Sequence, residues 1–128
     1  MKKRALQVLM VLGLAGVLFG GGAVGAVAWV VHESVQENCD MAQQAHPHPG
    51  DDAAALTDFI HSSTHSFQER NHAIWTLGRL SDPKALPALE AVYTGDLCNH
   101  NTTLCQYELE KAIKRCGGIP NPPREIRH

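Results

Sequence analysis

The chain has 128 residues, of which 44% are hydrophobic and 19% charged, and its formal charge is −2. All 13 acids but only 8 of the 11 bases follow Val31, so residues 32–128 carry a formal charge of −5. This size and balance exclude a two-domain protein, a large enzyme and a basic nucleic-acid binder. The expectation is a membrane-directed leader followed by one small, mildly acidic domain.

Residues 5–31 contain no Asp, Glu, Lys, Arg or His, and Gln7 is their one strongly polar side chain. Lys2, Lys3 and Arg4 precede this run, whereas Glu33, Glu37 and Asp40 follow it. The positive-inside rule keeps such an N-terminus in the cytoplasm and places the rest on the periplasmic or extracellular side. As a helix the run reaches roughly 40 Å, enough to span a ~30 Å hydrocarbon core with tilt. Two readings stand. In one, residues 1–31 are a retained single-pass anchor, with Trp29 at the outer headgroup level. In the other, Leu6 to Phe19 is the apolar core of a signal peptide, cleaved after Ala28 in the pattern Ala26-Val27-Ala28, and the domain is secreted. The apolar run continues through Trp29, Val30 and Val31, which favours the anchor. The pairs Gly16/Gly20 and Gly21/Gly25 have the spacing that lets two membrane helices pack as a homodimer.

From His32 the chain turns polar, with Val31, Val35 and Ala42 at helical spacing. This reads as a helical stalk. It ends at His46-Pro47-His48-Pro49-Gly50, because two prolines and a glycine interrupt a helix. Residues 32–50 are therefore expected to be stalk and linker. The two histidines read as part of a turn, with weak metal binding as the other reading.

Residues 51–116 are expected to fold as helices. Asp51 and Asp52 head a segment carrying Ala55, Leu56, Phe59 and Ile60, which gives way at Ser62-Ser63-Thr64. Acids in a first turn favour that end of a helix. Ser66 to Leu80 carries Phe67, Ala73, Ile74, Trp75, Leu77 and Leu80 at helical offsets, on a face wide enough for neighbours on two sides. Asp82 and Pro83 then fit an N-cap and a first helical residue. Ala85, Leu86, Leu89, Val92 and Tyr93 form the next face, which Pro87 should bend and Gly95 should end. In the last helix Thr103 and Gln106 match a capping box. Cys105, Leu109, Ala112, Ile113 and Cys116 share its face, and Gly117-Gly118 stops it. Residues 117–128, with three prolines, read as a flexible tail. No segment alternates like a half-buried strand, so the fold class is all-α.

Asn71 to Tyr93 reads N-H-A-I-W-T-L-G-R-L-S-D-P-K-A-L-P-A-L-E-A-V-Y. This string resembles the HEAT-like repeat of the phycobilisome-lyase type, through Ala73, Leu77, Gly78, Leu80, Asp82, Pro83, Ala85, Leu86, Pro87 and Leu89. The resemblance implies stacked antiparallel helix pairs, joined by a tight Asp-Pro turn, in a short solenoid of about two repeats. It also implies close helix approach at Gly78 and a protein-binding role. No residue matches a catalytic position of the lyases. Two repeats are fewer than a solenoid ordinarily needs to bury a continuous core. A staple, a partner or a membrane surface is expected to supply the missing stability.

Cys39, Cys98, Cys105 and Cys116 all fall in the exported part, where disulfides persist. Cys105 and Cys116 lie about 16 Å apart along one helix, too far for a bond that requires Cα atoms within about 7 Å. Cys98–Cys105 is then the natural bridge, and Cys39 and Cys116 pair with each other or stay free. Cys39 could also cross-link two chains. The competing reading is a metal- or redox-responsive loop from Asp96 to Cys105, with Asp96, Cys98, His100 and Cys105 as ligands. The spacing matches no zinc finger. His61, His65 and His72 would share a face only on an unbroken helix, and surface positions account for them otherwise. Asn101-Thr102-Thr103 is a glycosylation sequon whose residues helix capping explains equally. Glycine-framed nucleophiles, paired carboxylates, phosphate loops and dinucleotide motifs are absent from the sequence. The expected function is a non-catalytic protein-interaction module of the cell envelope, without cofactor, metal or nucleic acid.

Overall fold

The computed structural model describes residues 2–121, with side chains from residue 21 onward. It is all-helical, and its contacts divide the chain into Met1–Ser34 and Val35–His128. The helices are α1 (Lys2–Ala45), α2 (Asp52–His61), α3 (Phe67–Leu80), α4 (Leu86–Val92) and α5 (Gln106–Arg115), with a 3₁₀ turn at Pro83–Ala85.

Within the first unit, Val24, Val27, Trp29 and Val30 are exposed. Nothing lies within 4 Å of a Cβ built on Gly21 or Gly25. Among the described residues no helix is long and apolar enough to cross a membrane. The side chains of residues 1–20, which make up most of the expected anchor and include positions Gly16 and Gly20, lie outside the description, as does the tail beyond residue 121.

In the second unit, side chains set the helix ends. Asp51 caps α2 by accepting the Ala54 N–H at 3.1 Å. Ser66 and Glu69 form a capping box at the head of α3. Such a cap is worth about 1 kcal/mol. Asp82 accepts the Lys84 N–H at 3.0 Å. Pro87 falls in the first turn of α4, where a missing N–H costs little. A 3₁₀ turn, Pro83–Ala85, precedes α4. Helix α5 ends in a Schellman motif, in which Gly118 N–H reaches Ile113 O and Gly117 N–H reaches Lys114 O. Gly117 supplies the required φ of +91°.

Helix α3 is the centre of the packing. It lies against α2 on one side and α5 on the other, while α4 packs on α5 and the 3₁₀ turn on α2. The core contains Leu56, Phe59, Ile60, Ile74, Leu77, Leu89, Leu109 and Ile113, all fully buried. Each such side chain contributes roughly 1.5–3 kcal/mol on removal from water. The α3–α5 contact is close: a Cβ on Gly78 would stand 3.1 Å from Ala112 Cα. Two turns earlier on α3, Asn71 Oδ1 accepts the Cys105 N–H at 2.7 Å. Both meetings join residues 34 positions apart in sequence. Helices α3 and α5 therefore run parallel.

The last turns of α1 correct the expected stalk. Val35, Cys39 and Ala42 are buried in the same core, and Asn38 Nδ2 donates to Thr76 Oγ1 at 2.9 Å. Residues 35–45 thus belong to the domain and lie beside α3. These turns add apolar cover to the core. Residues 46–50 are not a free linker either. Gln43 Nε2 donates to His48 O and Asp52 Oδ1, and His48 Nε2 stands 2.6 Å from Asp58 Oδ2. The tail also begins later than residue 117, because Gly118 lies against Leu86 and Ile113.

Gly78→Ala forces α3 and α5 apart by a few tenths of an ångström and should cost about 1–3 kcal/mol, read as a lower urea midpoint at unchanged m-value. Burial, with the Asp52 and Asp40 carboxylates nearby, pushes the Cys39 thiol up to about 11 from 9.0. A group raised in the folded state contributes fully below its unfolded pKa and loses that contribution as pH rises through the folded value. Stability should therefore fall between pH 9 and about 11, by about 2–3 kcal/mol from this thiol. A Cys39→Ala variant should show a flatter decline over that window in denaturant titrations.

Candidate functional site

The segment between α4 and α5, residues 93–105, carries little regular structure and is held by two buried amide side chains. Gln106, the first residue of α5, is 5% exposed. Its Oε1 accepts the Thr94 N–H at 2.7 Å and the Gly95 N–H at 3.3 Å. Its Nε2 donates to Val92 O and Leu104 O, both at 3.3 Å. One side chain thus ties both ends of the segment. Asn71 on α3 holds the Cys105 backbone, as described above. Within the segment, Asn99 O accepts N–H groups from Thr102 and Thr103, and Thr103 Oγ1 donates to the same carbonyl.

This arrangement corrects three sequence expectations. Thr103 caps a turn inside the loop rather than α5, whose N-cap is Cys105 with no side-chain cap bond. Gln106 is not the far half of a capping box but the tie of the loop. Helix α4 ends at Val92 with Tyr93 as its C-cap, before Gly95, which lies in the loop with a φ of +77°.

Between α3, the loop and the first turn of α5 lies a cleft of about 450 Å³. Helix α3 lines it with Gln68, Asn71, His72 and Trp75, the loop with His100, Asn101 and Cys105, and α5 with Glu108. Arg79 lies over the Trp75 ring, 5.2 Å from its centroid. The floor is polar and incompletely satisfied. Asn71 is 8% exposed and its Nδ2 is buried without a hydrogen-bond partner. Leaving a buried donor unpaired costs about 1–3 kcal/mol.

The four expected disulfide candidates are thiols. Cys98 and Cys105 do come together, with Sγ atoms 3.1 Å apart, against about 2.05 Å for a bond. The Tyr107 N–H donates to Cys98 Sγ at 3.1 Å, and His100 Nε2 stands 4.0 Å from Cys105 Sγ. Burial pushes the Cys105 thiol up, the neighbouring Cys98 adds to this, and the backbone amides of Glu108 and Tyr107 oppose it. The other two cysteines are buried separately. Cys116 Sγ donates to Leu77 O at 3.7 Å, and Cys39 lies beside the Asp52 carboxylate.

The proposed metal loop does not assemble. Asp96 instead accepts from Thr94 Oγ1 at 2.7 Å. Among the described residues no group of three or more His, Cys, Asp or Glu side chains could hold a metal ion. The histidines at 61, 65 and 72 do not share a face. His65 stacks on Phe59 at 3.7 Å and meets His46 Nε2 to Nε2 at 3.1 Å, His72 lines the cleft, and His61 is exposed.

The residues that carry the repeat resemblance build the frame rather than the cleft. Ala73, Leu77, Ala85 and Leu89 are fully buried, Leu80 and Leu86 pack partly buried on the core, and Asp82 caps. Asn71, Trp75 and Gln106 were not legible as site residues. Their one sequence signal is a polar side chain, Asn71 or Gln106, at the edge of an apolar helical stripe. Comparisons of the chain with protein-family models, with curated proteins and with solved structures find no match.

Gln106→Ala leaves the Thr94 and Gly95 amides without their acceptor. Their hydrogen exchange should accelerate by about tenfold or more, for a loss of about 1.5–3 kcal/mol, while exchange in the centre of α3 changes little.

Proposed function

We propose that this protein is a membrane-tethered, HEAT-like helical-repeat module of the cell envelope that binds a partner protein and performs no catalysis of its own. The observation that carries the reading is the cleft lined by Trp75 and Asn71, whose Nδ2 has no hydrogen-bond partner. A backbone carbonyl or side-chain acceptor from a polypeptide would complete that hydrogen bond, while Trp75 offers a broad apolar surface beside it. Aromatic residues at the centre of a recess are the positions where binding energy concentrates. The 34-residue register between α3 and α5 supports the repeat reading, since repeats of 20–45 residues stack in this way. Resemblance to the HEAT-like pattern from Ala73 to Leu89 supports it independently.

Tethering rests on the basic Lys2-Lys3-Arg4 start and the apolar run behind it. This topology puts the domain on the periplasmic or extracellular face, released if the leader is cleaved after Ala28. Gly16, Gly20, Gly21 and Gly25 offer a surface on which two such helices could pair. Nothing in the domain's charge suits nucleic acid.

A photo-reactive residue placed in native membranes tests the binding role. At Gln68 or His72, both exposed on the rim, it should cross-link one envelope protein. At Ala91, exposed on α4, it should not. Trp75→Ala should abolish the rim cross-link while the domain stays folded. Equal cross-linking from Ala91, or none from the rim, would overturn the assignment.

A further inference from the structure

We propose that Cys98 and Cys105 form a reversible dithiol–disulfide site, in which Cys98 attacks a disulfide-bearing small molecule and Cys105 closes the intramolecular bond. The proposal does not depend on what occupies the cleft, and three features of the geometry carry it. The two sulfurs, seven residues apart in sequence, are already in contact at 3.1 Å, so closing the bond requires about 1 Å of movement. Their accessibilities differ. Cys98 is half-buried at the loop surface, whereas Cys105 is 1% exposed. An external disulfide can therefore reach Cys98 and not Cys105. Each sulfur is also held in place, Cys98 by the Tyr107 N–H and Cys105 by the Asn71 bond to its own backbone N–H.

The chemistry balances as ordinary thiol–disulfide exchange. Cys98, as thiolate, attacks one sulfur of the donor disulfide, which forms a mixed disulfide and expels the other sulfur as a thiolate. Cys105 then loses its proton, with His100 Nε2 at 4.0 Å as the nearby acceptor. Its sulfur attacks Cys98 Sγ, forming the Cys98–Cys105 bond and expelling the second donor sulfur. Two electrons pass from the cysteine pair to the donor, and the two protons end on the released thiolates. Burial holds Cys105 protonated until the mixed disulfide forms beside it. Cys39 and Cys116 are buried apart and serve as internal controls.

Both reacting cysteines fall on one tryptic peptide, residues 85–111. The folded full-length chain, reduced and then titrated with mixtures of reduced and oxidised glutathione, is acid-quenched, alkylated and digested. The 85–111 peptide should lose both alkylation sites together as the oxidised fraction rises, and regain both when the mixture is reversed. Peptides carrying Cys39 and Cys116 should show no glutathione. The Cys105→Ser variant should accumulate glutathione on Cys98, and the Cys98→Ser variant should leave Cys105 unmodified over the same interval. If the wild-type peptide keeps both alkylation sites across the full range of mixtures, the site is not redox-active. Equal trapping of glutathione by the two variants, each checked for native helicity, would overturn the assigned order of attack.

Discussion

Helices α3 and α5 approach closely because Gly78 presents no side chain to Ala112, and the rest of the domain is arranged around that contact. With the backbones this near, the register between the two helices is fixed over two turns. Asn71 then meets the Cys105 backbone, and Cys116 meets the Leu77 carbonyl. A residue of ordinary size at position 78 would open the pair and misalign both ends. Close packing also explains why a 10-residue helix such as α5 is stable here, since an isolated helix of that length is marginal in water.

The same register delivers polar groups to a buried place. Gln106 and Asn71 satisfy five backbone and loop positions between them, and these bonds take over where regular structure stops between α4 and α5. A loop so tied can bring Cys98 back onto Cys105 and present His100 and Asn101 across from α3. Two buried polar atoms beside this loop, Asn71 Nδ2 and Tyr93 Oη, have no hydrogen-bond partner among the described residues. The cleft proposed for recognition and the cysteine pair proposed for redox chemistry thus adjoin on one loop, with Cys105 common to both.

Much of the helical plan is written locally. Asp51, Asp82 and Pro83 mark helix starts because side-chain oxygens and a missing N–H suit orphan positions there. Ser62-Ser63-Thr64 and Gly117-Gly118 mark ends for the converse reason. The misreadings share one cause. Thr103 and Gln106 have capping-box spacing, but Gln106 finds better partners across the loop. Residues 35–45 look like a solvated stalk because their apolar positions are few and small. Val35, Cys39 and Ala42 are nevertheless enough when the facing surface of α3 is already apolar.

By itself the sequence determined the all-α class, most helix boundaries and the meeting of Cys98 with Cys105. Each depends on backbone preference, on periodicity or on separations of a few residues. The tertiary structure alone decided that α1 completes the core, that the histidines disperse and that Asn71 and Gln106 organise the loop. It also decided that the four cysteines fall into one touching pair and two isolated thiols. Those outcomes depend on which helix faces meet at separations of 34 or 38 residues, and local patterning carries no record of such pairings.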